Sequence, residues 1–268
     1  MESTTIADAG RHPKLLSVLV PSYQEARTLA VIVDRILLLD VESAGFVHEV
    51  IVCDDGSTDD TAIVVSDIAA RDSRVTLLRH PRNRGKGAAI RTALALAKGE
   101  YCLVQDADLE YDVADYPEML RAAAAGAPVV YGSRFLLRRW PEGMQMSNWI
   151  GNRILTHMAN LLYGLHLTDE ATGPKMFRTD VLRSLDLRAE RFEFCSEVTA
   201  KLGGRKVSIV ETPVRYAARS HAEGKKLRLR DGWNALWTLL LTGVRDRYAA
   251  RRSIWRTEPA ASGSERSR

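Results

Sequence analysis

Asp106 and Asp108 are the first residues whose type and spacing suggest chemistry, because they stand two positions apart directly after the apolar run 101–105. At a strand end, carboxylates at this spacing can converge on one hard cation, Mg²⁺ or Mn²⁺, with phosphate oxygens in the other positions. The alternative is a solvated turn, since an isolated Asp-x-Asp is common. The apolar run before the pair favours the cation site.

Asp54 and Asp55 open a second acidic segment, Asp-Asp-Gly-Ser-Thr-Asp, at residues 54–59. A turn followed by a helix cap at Asp59 explains the residue types at 57–59. The helix cap does not account for the adjacent carboxylates of Asp54 and Asp55. We therefore predict that Asp54 and Asp55 accept hydrogen bonds from a nucleotide base or ribose.

Two basic segments complete the candidate chemistry. Lys86, in the segment Arg-Asn-Arg-Gly-Lys-Gly at 82–87, stands at a predicted helix N-terminus suited to phosphate, although no Ser or Thr follows it as in a Walker A loop. The run 215–230 holds seven basic residues and a single acid, Glu223. It predicts a solvated loop, an anion site over the crevice, or a contact with anionic lipid headgroups.

Alternating strands and helices must position these residues. Strands are predicted at 15–20, 49–53, 75–78, 101–105 and 128–132, and helices at 29–39, 59–70, 86–97 and 116–125. This alternation predicts an α/β fold, a mostly parallel sheet with helices on both faces. The carboxyl ends of such strands share one edge, so the segments 21–25, 54–57, 106–108 and 132–134 are expected to meet in one crevice.

The second half of the chain is less regular. It predicts helices at 149–163, 194–202 and 229–244 and a short strand at 175–177. We expect a flexible N-terminus at 1–13, one α/β domain at 14–227, an amphipathic helix at 228–248 and a disordered tail at 249–268. The outer side of that helix, with Trp233 and Trp237, could pack on the sheet or lie at a membrane surface.

Composition sets limits on the function. The 268 residues are 46% hydrophobic and 27% charged, as in a folded domain, with a net charge of +4. Three cysteines without a Cys-x-x-Cys pair argue against disulfides and structural zinc and favour the cytoplasm. The longest apolar stretch, 235–244, is half of what a membrane span needs, and no nucleic-acid recognition motif is present.

Five segments occur in order: VPSYQEARTL (20–29), VCDDGSTDDT (52–61), RNRGKGAAI (82–90), QDADLEY (105–111) and GSRF (132–135). Together they resemble glycosyltransferase family 2, the GT-A-fold enzymes that use nucleotide-diphospho-sugars. TDEATGPKMF (168–177), FEFCSEVTAKL (192–202) and PVRYAARSHAEGKKLRLRDG (213–232) resemble more loosely its polyprenyl-phosphate, or dolichyl-phosphate, branch.

The resemblance implies roles for the matching residues. Those at the first two strand ends would line the nucleotide-sugar pocket, those at 106–110 would act through Mg²⁺ or Mn²⁺, and several cations would hold the acceptor phosphate or the leaving diphosphate. The residues implied to bind the nucleotide sugar are Pro21, Tyr23, Glu25, Asp54, Asp55, Lys86, Asp106, Ala107 and Asp108. The implied metal ligands are Asp106, Asp108 and Glu110, and the residues implied to hold the acceptor phosphate or the diphosphate are Arg134, Arg153, Arg219 and Lys225. The implied catalytic residues are Asp106, Asp108, Arg134 and Arg219.

The resemblance also implies an activity: an inverting transfer of a hexose from a UDP- or GDP-sugar to a polyprenyl phosphate. We expect it at the cytoplasmic membrane face, with a peripheral membrane contact or a membrane-protein partner. An ionised acceptor phosphate needs no strong base, whereas a sugar hydroxyl would need one, with Asp169 or Glu170 as candidates. The alternatives are a soluble family member acting on a small phosphorylated or sugar acceptor, and a non-catalytic nucleotide- or membrane-binding module.

Overall fold

A seven-stranded sheet organises residues 12–219, which the computed structural model describes together with residues 231–242. Its order is β3-β2-β1-β4-β6-β5-β7. β6 is antiparallel to β4 and β5, and the other neighbours are parallel. The strands are β1 (Lys14–Ser22), β2 (Phe46–Asp54), β3 (Val75–Arg79), β4 (Tyr101–Val104), β5 (Val129–Ser133), β6 (Lys175–Arg178) and β7 (Val210–Pro213).

The predicted mostly parallel α/β sheet is confirmed, and every predicted strand is present. The antiparallel β6 was not indicated by the strand–helix alternation. It is inserted between β4 and β5, so that the chain reaches it from β5 through a long helix rather than through the usual parallel crossover.

Helices cover both faces of the sheet. α1, α2 and α4 contribute to one hydrophobic core, and α3, α6 and α7 to the other. The helices are α1 (Leu29–Leu37), α2 (Thr61–Ala69), α3 (Lys86–Leu96), α4 (Tyr116–Ala124), α5 (Met146–Tyr163), α6 (Thr179–Ser184) and α7 (Phe194–Gly204).

The strand sequences explain the two cores. Successive side chains of a strand point to opposite faces, so a strand buried on both sides is apolar throughout. In β1, Val18 and Val20 lie in the core with α1, whereas Leu19 between them lies in the core with α3. Ile51 and Val52 of β2 divide in the same way.

The predicted C-terminal helix is present over residues 231–242. Leu239 is fully buried there, packed with Ala159 of α5 and Ala200 of α7. The helix thus packs on other helices rather than on the sheet. No helix within 12–219 or 231–242 combines the length and apolar character needed to cross a membrane. Lys225, the tail 249–268 and nearly all of the segment 1–13 lie outside the described residues.

Candidate active site

The ends of β1, β2 and β4 bring three loops to one edge of the sheet. Ser22 of β1 pairs in register with Asp54 of β2, and its carbonyl accepts the Asp55 N–H at 2.7 Å. Gln105, which follows β4, donates its N–H to Leu19 of β1 at 3.0 Å. The loops after these strands therefore open at one edge, which we call the crevice.

Four carboxylates from two of these loops are bonded to two basic residues, Lys86 and Arg219, at the crevice. We call the four carboxylates the acidic cluster. The carboxylates belong to side chains separated by up to 85 positions along the chain, and sheet topology alone joins them. They are Glu25, Asp106, Asp108 and Glu110.

Lys86 neutralises one member of the acidic cluster. Its Nζ lies 2.5 Å from Asp106 Oδ1. Burial of the ammonium opposes its charge, but the neighbouring Asp106 and Asp108 outweigh burial, so the pKa of Lys86 is raised. Lys86 is the first residue of α3, which orients it toward the end of β4.

Arg219 binds the other three members. Its guanidinium lies 3.2 Å from Glu25 Oε2 and 3.1 Å from Asp108 Oδ2, and its backbone N–H donates to Glu110 Oε1 at 3.0 Å. Burial, followed by the charges of Asp106 and Glu110, raises the pKa of Asp108 to about 7.

The donor set of the acidic cluster fits a hard divalent cation, because carboxylate oxygens are the ligands that Mg²⁺ and Mn²⁺ prefer. In the arrangement observed, the carboxylates face protein cations and N–H donors instead. Accordingly, no group of three or more acidic, His or Cys side chains in the described part of the chain is arranged to hold a metal. Binding an ion there requires Lys86 and Arg219 to release their carboxylates.

Asp54 and Asp55 are bonded within the protein. Both are buried. Asp55 accepts the N–H groups of Arg84 and Gly85 at 2.9 and 2.6 Å and contacts His80 Nδ1 at 2.6 Å. Asp54 accepts the Ser57 N–H at 3.0 Å. In this structure Asp54 thus satisfies a donor of its own loop and pairs with Arg79 of β3 at 3.1 Å, whereas Asp55 satisfies backbone N–H groups of the segment between β3 and α3.

Helix capping in the same segment is close to the prediction. α2 begins at Thr61 with Asp60 in the N-cap position, one residue later than predicted. The capping carboxylate is nevertheless that of Asp59, which accepts the Thr61 N–H at 3.1 Å. Thr61 Oγ1 lies 3.0 Å from the Glu25 backbone N–H, so the cap also holds the loop that carries Glu25.

The glycines around Lys86 allow another segment of the backbone to approach closely. A Cβ on Gly87 would lie 2.4 Å from the Ala189 carbonyl oxygen, and one on Gly85 would lie 2.4 Å from that of Glu190. The N–H of Ala88 also donates to Glu190. The chain's own backbone therefore packs closely against the start of α3 and accepts the Ala88 N–H.

Arg134 forms a buried pair with Asp169. Its Nε and Nη2 donate to the two carboxylate oxygens, each at 2.7 Å, and Asp169 also accepts the Arg134 N–H at 3.0 Å. Burial opposes the charge of Arg134, but Asp169 outweighs it and the pKa of Arg134 is raised. The guanidinium lies 5.2 Å from the ring centroid of Tyr216, whose hydroxyl donates to Glu110 of the acidic cluster. The pair is thus adjacent to that cluster.

Glu211 is a site residue that the sequence reasoning missed. Its carboxylate accepts the N–H groups of Thr168 and Asp169 at 2.8 and 3.0 Å and the Thr168 hydroxyl at 2.9 Å. It thereby fixes the loop that presents Asp169 to Arg134. Burial raises the pKa of Glu211. An acid directly after the apolar pair Ile209 and Val210 was the available signal.

Arg153 lies farther out, on α5. It donates to the Thr168 carbonyl at 3.3 Å and stands over Phe135 at 5.6 Å. A small cavity of about 260 Å³ opens beside it, between the loop after β5 and α5. Its walls combine aromatic rings with guanidinium groups: Phe135, Arg139, Trp149, Arg153 and Thr168.

The remaining candidate site residues differ in how deeply they are buried. Pro21 and Ala107 are buried beside the crevice loops, and Tyr23 is half-buried. Glu170 is fully buried, and this burial raises its pKa although Lys175 opposes the shift. Neither Glu170 nor the paired Asp169 is open to the crevice as a base.

The sequence matches the family model described as Glycosyl transferase family 2 over residues 17–186. It is 30% identical over 230 residues to the low-salt glycan biosynthesis hexosyltransferase Agl6 of Haloferax volcanii, covering 84% of this chain and 53% of that protein. The undecaprenyl-phosphate mannosyltransferase of Micrococcus luteus is 31% identical over 220 residues, 77% of this chain and 85% of that protein. The chain therefore spans about half the length of the first relative and most of the second.

Solved structures show the same fold. Glucosyl-3-phosphoglycerate synthase from Mycobacterium tuberculosis, in complex with uridine diphosphate, superposes with a TM-score of 0.65 at 21% identity. The match covers 86% of this chain and 80% of that one. Similarity at this level of identity concerns the architecture.

Proposed function

The chain belongs to glycosyl transferase family 2, and from this premise we propose that it is an inverting hexosyltransferase. Its donor would be a UDP- or GDP-sugar and its acceptor a polyprenyl phosphate. The observation that carries the proposal is the acidic cluster with its two bound cations at the carboxyl end of β4. Carboxylates for a metal and cations for a diphosphate are the groups that nucleotide-sugar chemistry needs.

The leaving diphosphate would bind at the acidic cluster. Asp106, Asp108 and Glu110 would hold Mg²⁺ or Mn²⁺ there, which when bound neutralises the charge that develops on the departing oxygen. Lys86 and Arg219, released from their carboxylates, would contact the same diphosphate. Their existing bonds to the carboxylates offset part of the negative charge of the acidic cluster. Pro21, Tyr23 and Glu25 would line the nucleoside side of the crevice, with Asp54 and Asp55 supporting its loops.

The carboxylates near Arg134 favour a phosphate over a sugar hydroxyl as the acceptor. A sugar hydroxyl needs a general base, but Asp169 uses both oxygens on Arg134, and Glu170 is fully buried. A phosphate monoester is already largely ionised near neutral pH. Its oxygen would attack the anomeric carbon while the bond to the diphosphate breaks, so that a single displacement inverts the configuration. Arg134 and Arg153 would orient this phosphate, aided by Lys225.

The acceptor lipid also determines where the enzyme works. A polyprenyl chain stays in the bilayer, and nucleotide sugars dissolve in the cytoplasm, so we place the reaction at the cytoplasmic membrane face. Relatives named for undecaprenyl phosphate and polyprenol support this reading, including the polyprenol monophosphomannose synthase of Mycolicibacterium smegmatis, 29% identical over 255 residues.

The test is transfer of radiolabel from a panel of UDP- and GDP-sugars to membranes, with and without Mn²⁺. We expect chloroform-soluble label that depends on the cation. Label that appears only in water-soluble products would reject the lipid acceptor and favour a small phosphorylated one. Nucleotide binding without any turnover would reject the enzyme and favour a binding module.

A further inference from the structure

α5 and the 231–242 helix form a connected pair on the surface. The Tyr163 hydroxyl of α5 donates to the Leu239 carbonyl of the other helix. Leu239 is also buried against Ala159 of α5 and Ala200 of α7. Because both helices pack against each other and against α7 through their buried faces, their opposite faces point away from that contact.

Those outward faces are apolar. On α5, Met146, Ile150 and Ile154 repeat every fourth residue and are 59%, 44% and 50% exposed. On the 231–242 helix, Trp233 and Trp237 follow the same spacing and are 64% and 58% exposed. A spacing of four keeps side chains on one stripe of a helix. Each helix therefore buries one face and leaves an apolar stripe uncovered.

The stripes belong to a larger patch. Of the sixteen large apolar side chains that are exposed in the described residues, ten lie between 136 and 161 or between 233 and 241. Isolated exposed apolar residues are ordinary on a protein surface, but a concentration of this kind marks an interaction surface. We call it the apolar face: Leu136, Leu137, Trp140, Met146, Ile150, Ile154, Leu161, Trp233, Trp237 and Leu241.

We propose that the apolar face docks on an anionic lipid bilayer. Tryptophans on a narrow stripe with cations at its margin are typical of helices that lie in a membrane interface. Arg138, Arg139 and Arg153 are exposed beside the stripe on α5. In the sequence, the run Lys-Lys-Leu-Arg-Leu-Arg at 225–230 immediately precedes the other helix. Each cation near the surface attracts anionic headgroups.

The apolar face is continuous with the proposed acceptor site. The cavity lined by Arg139, Trp149 and Arg153 lies between α5 and the loop that carries Arg134. Docking would therefore bring this cavity to the depth of the headgroup phosphates, from which a lipid phosphate reaches the crevice. This step rests on the proposed function, whereas bilayer binding itself does not.

The binding test uses purified protein and vesicles of phosphatidylcholine with or without phosphatidylglycerol, separated by flotation. We expect binding that strengthens with phosphatidylglycerol. The double substitutions W233S/W237S and I150S/I154S should each weaken partitioning by about tenfold or more. The matched control L38S/I63S removes apolar side chains that are 85% and 60% exposed elsewhere and should bind as the parent does. Equal binding by all variants, or no binding by the parent, overturns the proposal.

A second measurement separates docking from catalysis. Turnover is compared between a polyprenyl phosphate in vesicles and a short-chain polyprenyl phosphate in detergent micelles, after melting curves confirm that the variants fold. Variants of the apolar face should lose turnover in vesicles and keep it in micelles. An equal loss of turnover in vesicles and in micelles would show that the apolar face does not act through docking. If the parent transfers sugar to neither acceptor, the proposed function fails, and vesicle binding still decides the docking surface.

Discussion

At the scale of single residues, the crevice holds carboxylates whose charge the chain offsets in part with two cations of its own. Lys86 and Arg219 stand where a bound diphosphate would need cations, and the carboxylates that they neutralise are those that a divalent ion would need. The same groups can therefore exchange partners when the donor and its cation arrive together. Because the pKa of Asp108 is raised to about 7, a bound cation would also favour the ionised form of that carboxylate.

Asp108→Asn should abolish most of the activity while preserving the fold. Asparagine keeps the shape of the side chain but removes the charge needed opposite the cation. We expect turnover to fall about 10²–10³-fold or more, as when a charge-stabilising group is removed from an active site. Steady-state rates at saturating Mn²⁺ and a thermal melt measure the two effects. The control D180N alters a carboxylate that is 66% exposed outside the crevice and should leave the rate unchanged; equal rates for D108N and the parent would contradict the metal role.

Glu211→Gln should reveal Glu211 as a positioning residue. A carboxylate accepts all three of its present hydrogen bonds, whereas an amide presents only one oxygen to the N–H groups of Thr168 and Asp169. The loop carrying Asp169 would loosen, and Arg134 with it. We expect kcat to fall about tenfold or more and the KM for the acceptor to rise, with the KM for the nucleotide sugar unchanged.

The conservative change Glu211→Asp keeps the charge and should recover part of the lost kcat. If both substitutions lowered stability and altered the two KM values alike, Glu211 would be a general structural residue and the positioning role would be rejected.

At the scale of elements, α3 and α5 each contain a helical glycine, and the two should respond oppositely to alanine. At Gly87 a Cβ would meet the Ala189 carbonyl at 2.4 Å, whereas at Gly151 nothing lies within 4 Å. G87A should therefore lower the free energy of unfolding by about 1–3 kcal/mol through overpacking. G151A should raise it by about 0.5–1 kcal/mol, because alanine loses less backbone entropy in a helix. Denaturant titrations measure both, and similar changes in the two variants would show that the contact at Gly87 is not limiting.

Local patterns predicted these elements well because their causes are local. Apolar runs and helical spacing gave the strands of the first half within three residues of their observed ends, and the Asp59 cap within one position. The purpose of Gly85 and Gly87 could not be predicted, because the backbone that they contact lies about a hundred residues later in the chain. The same applies to β6, whose antiparallel direction depends on the path of the long connection before it.

At the scale of the whole molecule, the order of the strands brings the residues of the candidate site together from distant parts of the chain. The spacing of Asp106 and Asp108 identified that pair and the family resemblance implied Arg219, but neither indicated that Arg219 would bind Glu25, 194 positions away. That contact depends on the order of strands, which places the loop after β1 beside the loop after β4. Glu211 was missed for the same reason, since its partners belong to a distant loop.

The three cysteines report on whether the sheet and its helices open as one unit. Cys53 and Cys102 are fully buried in the core shared by α3, α6 and α7, and burial raises their pKa values to about 12 and about 11. Since the thiolate is the reactive form, its fraction at pH 8 is about 10⁻⁴ for Cys53 and 10⁻³ for Cys102. Cys195 is only partly buried. We therefore expect a thiol reagent at pH 8 to label one cysteine in the native protein and all three in denaturant.

The labelling rates at intermediate denaturant concentrations show whether the two buried cysteines become exposed together. Because both buried thiols belong to one core, Cys53 and Cys102 should become reactive at the same denaturant concentration, which should also be the midpoint of the loss of circular dichroism. Mass spectrometry of the labelled peptides separates the two sites. Labelling of Cys102 well before Cys53 would show that β4 opens independently of β2, and the fold would then not unfold as a single cooperative unit.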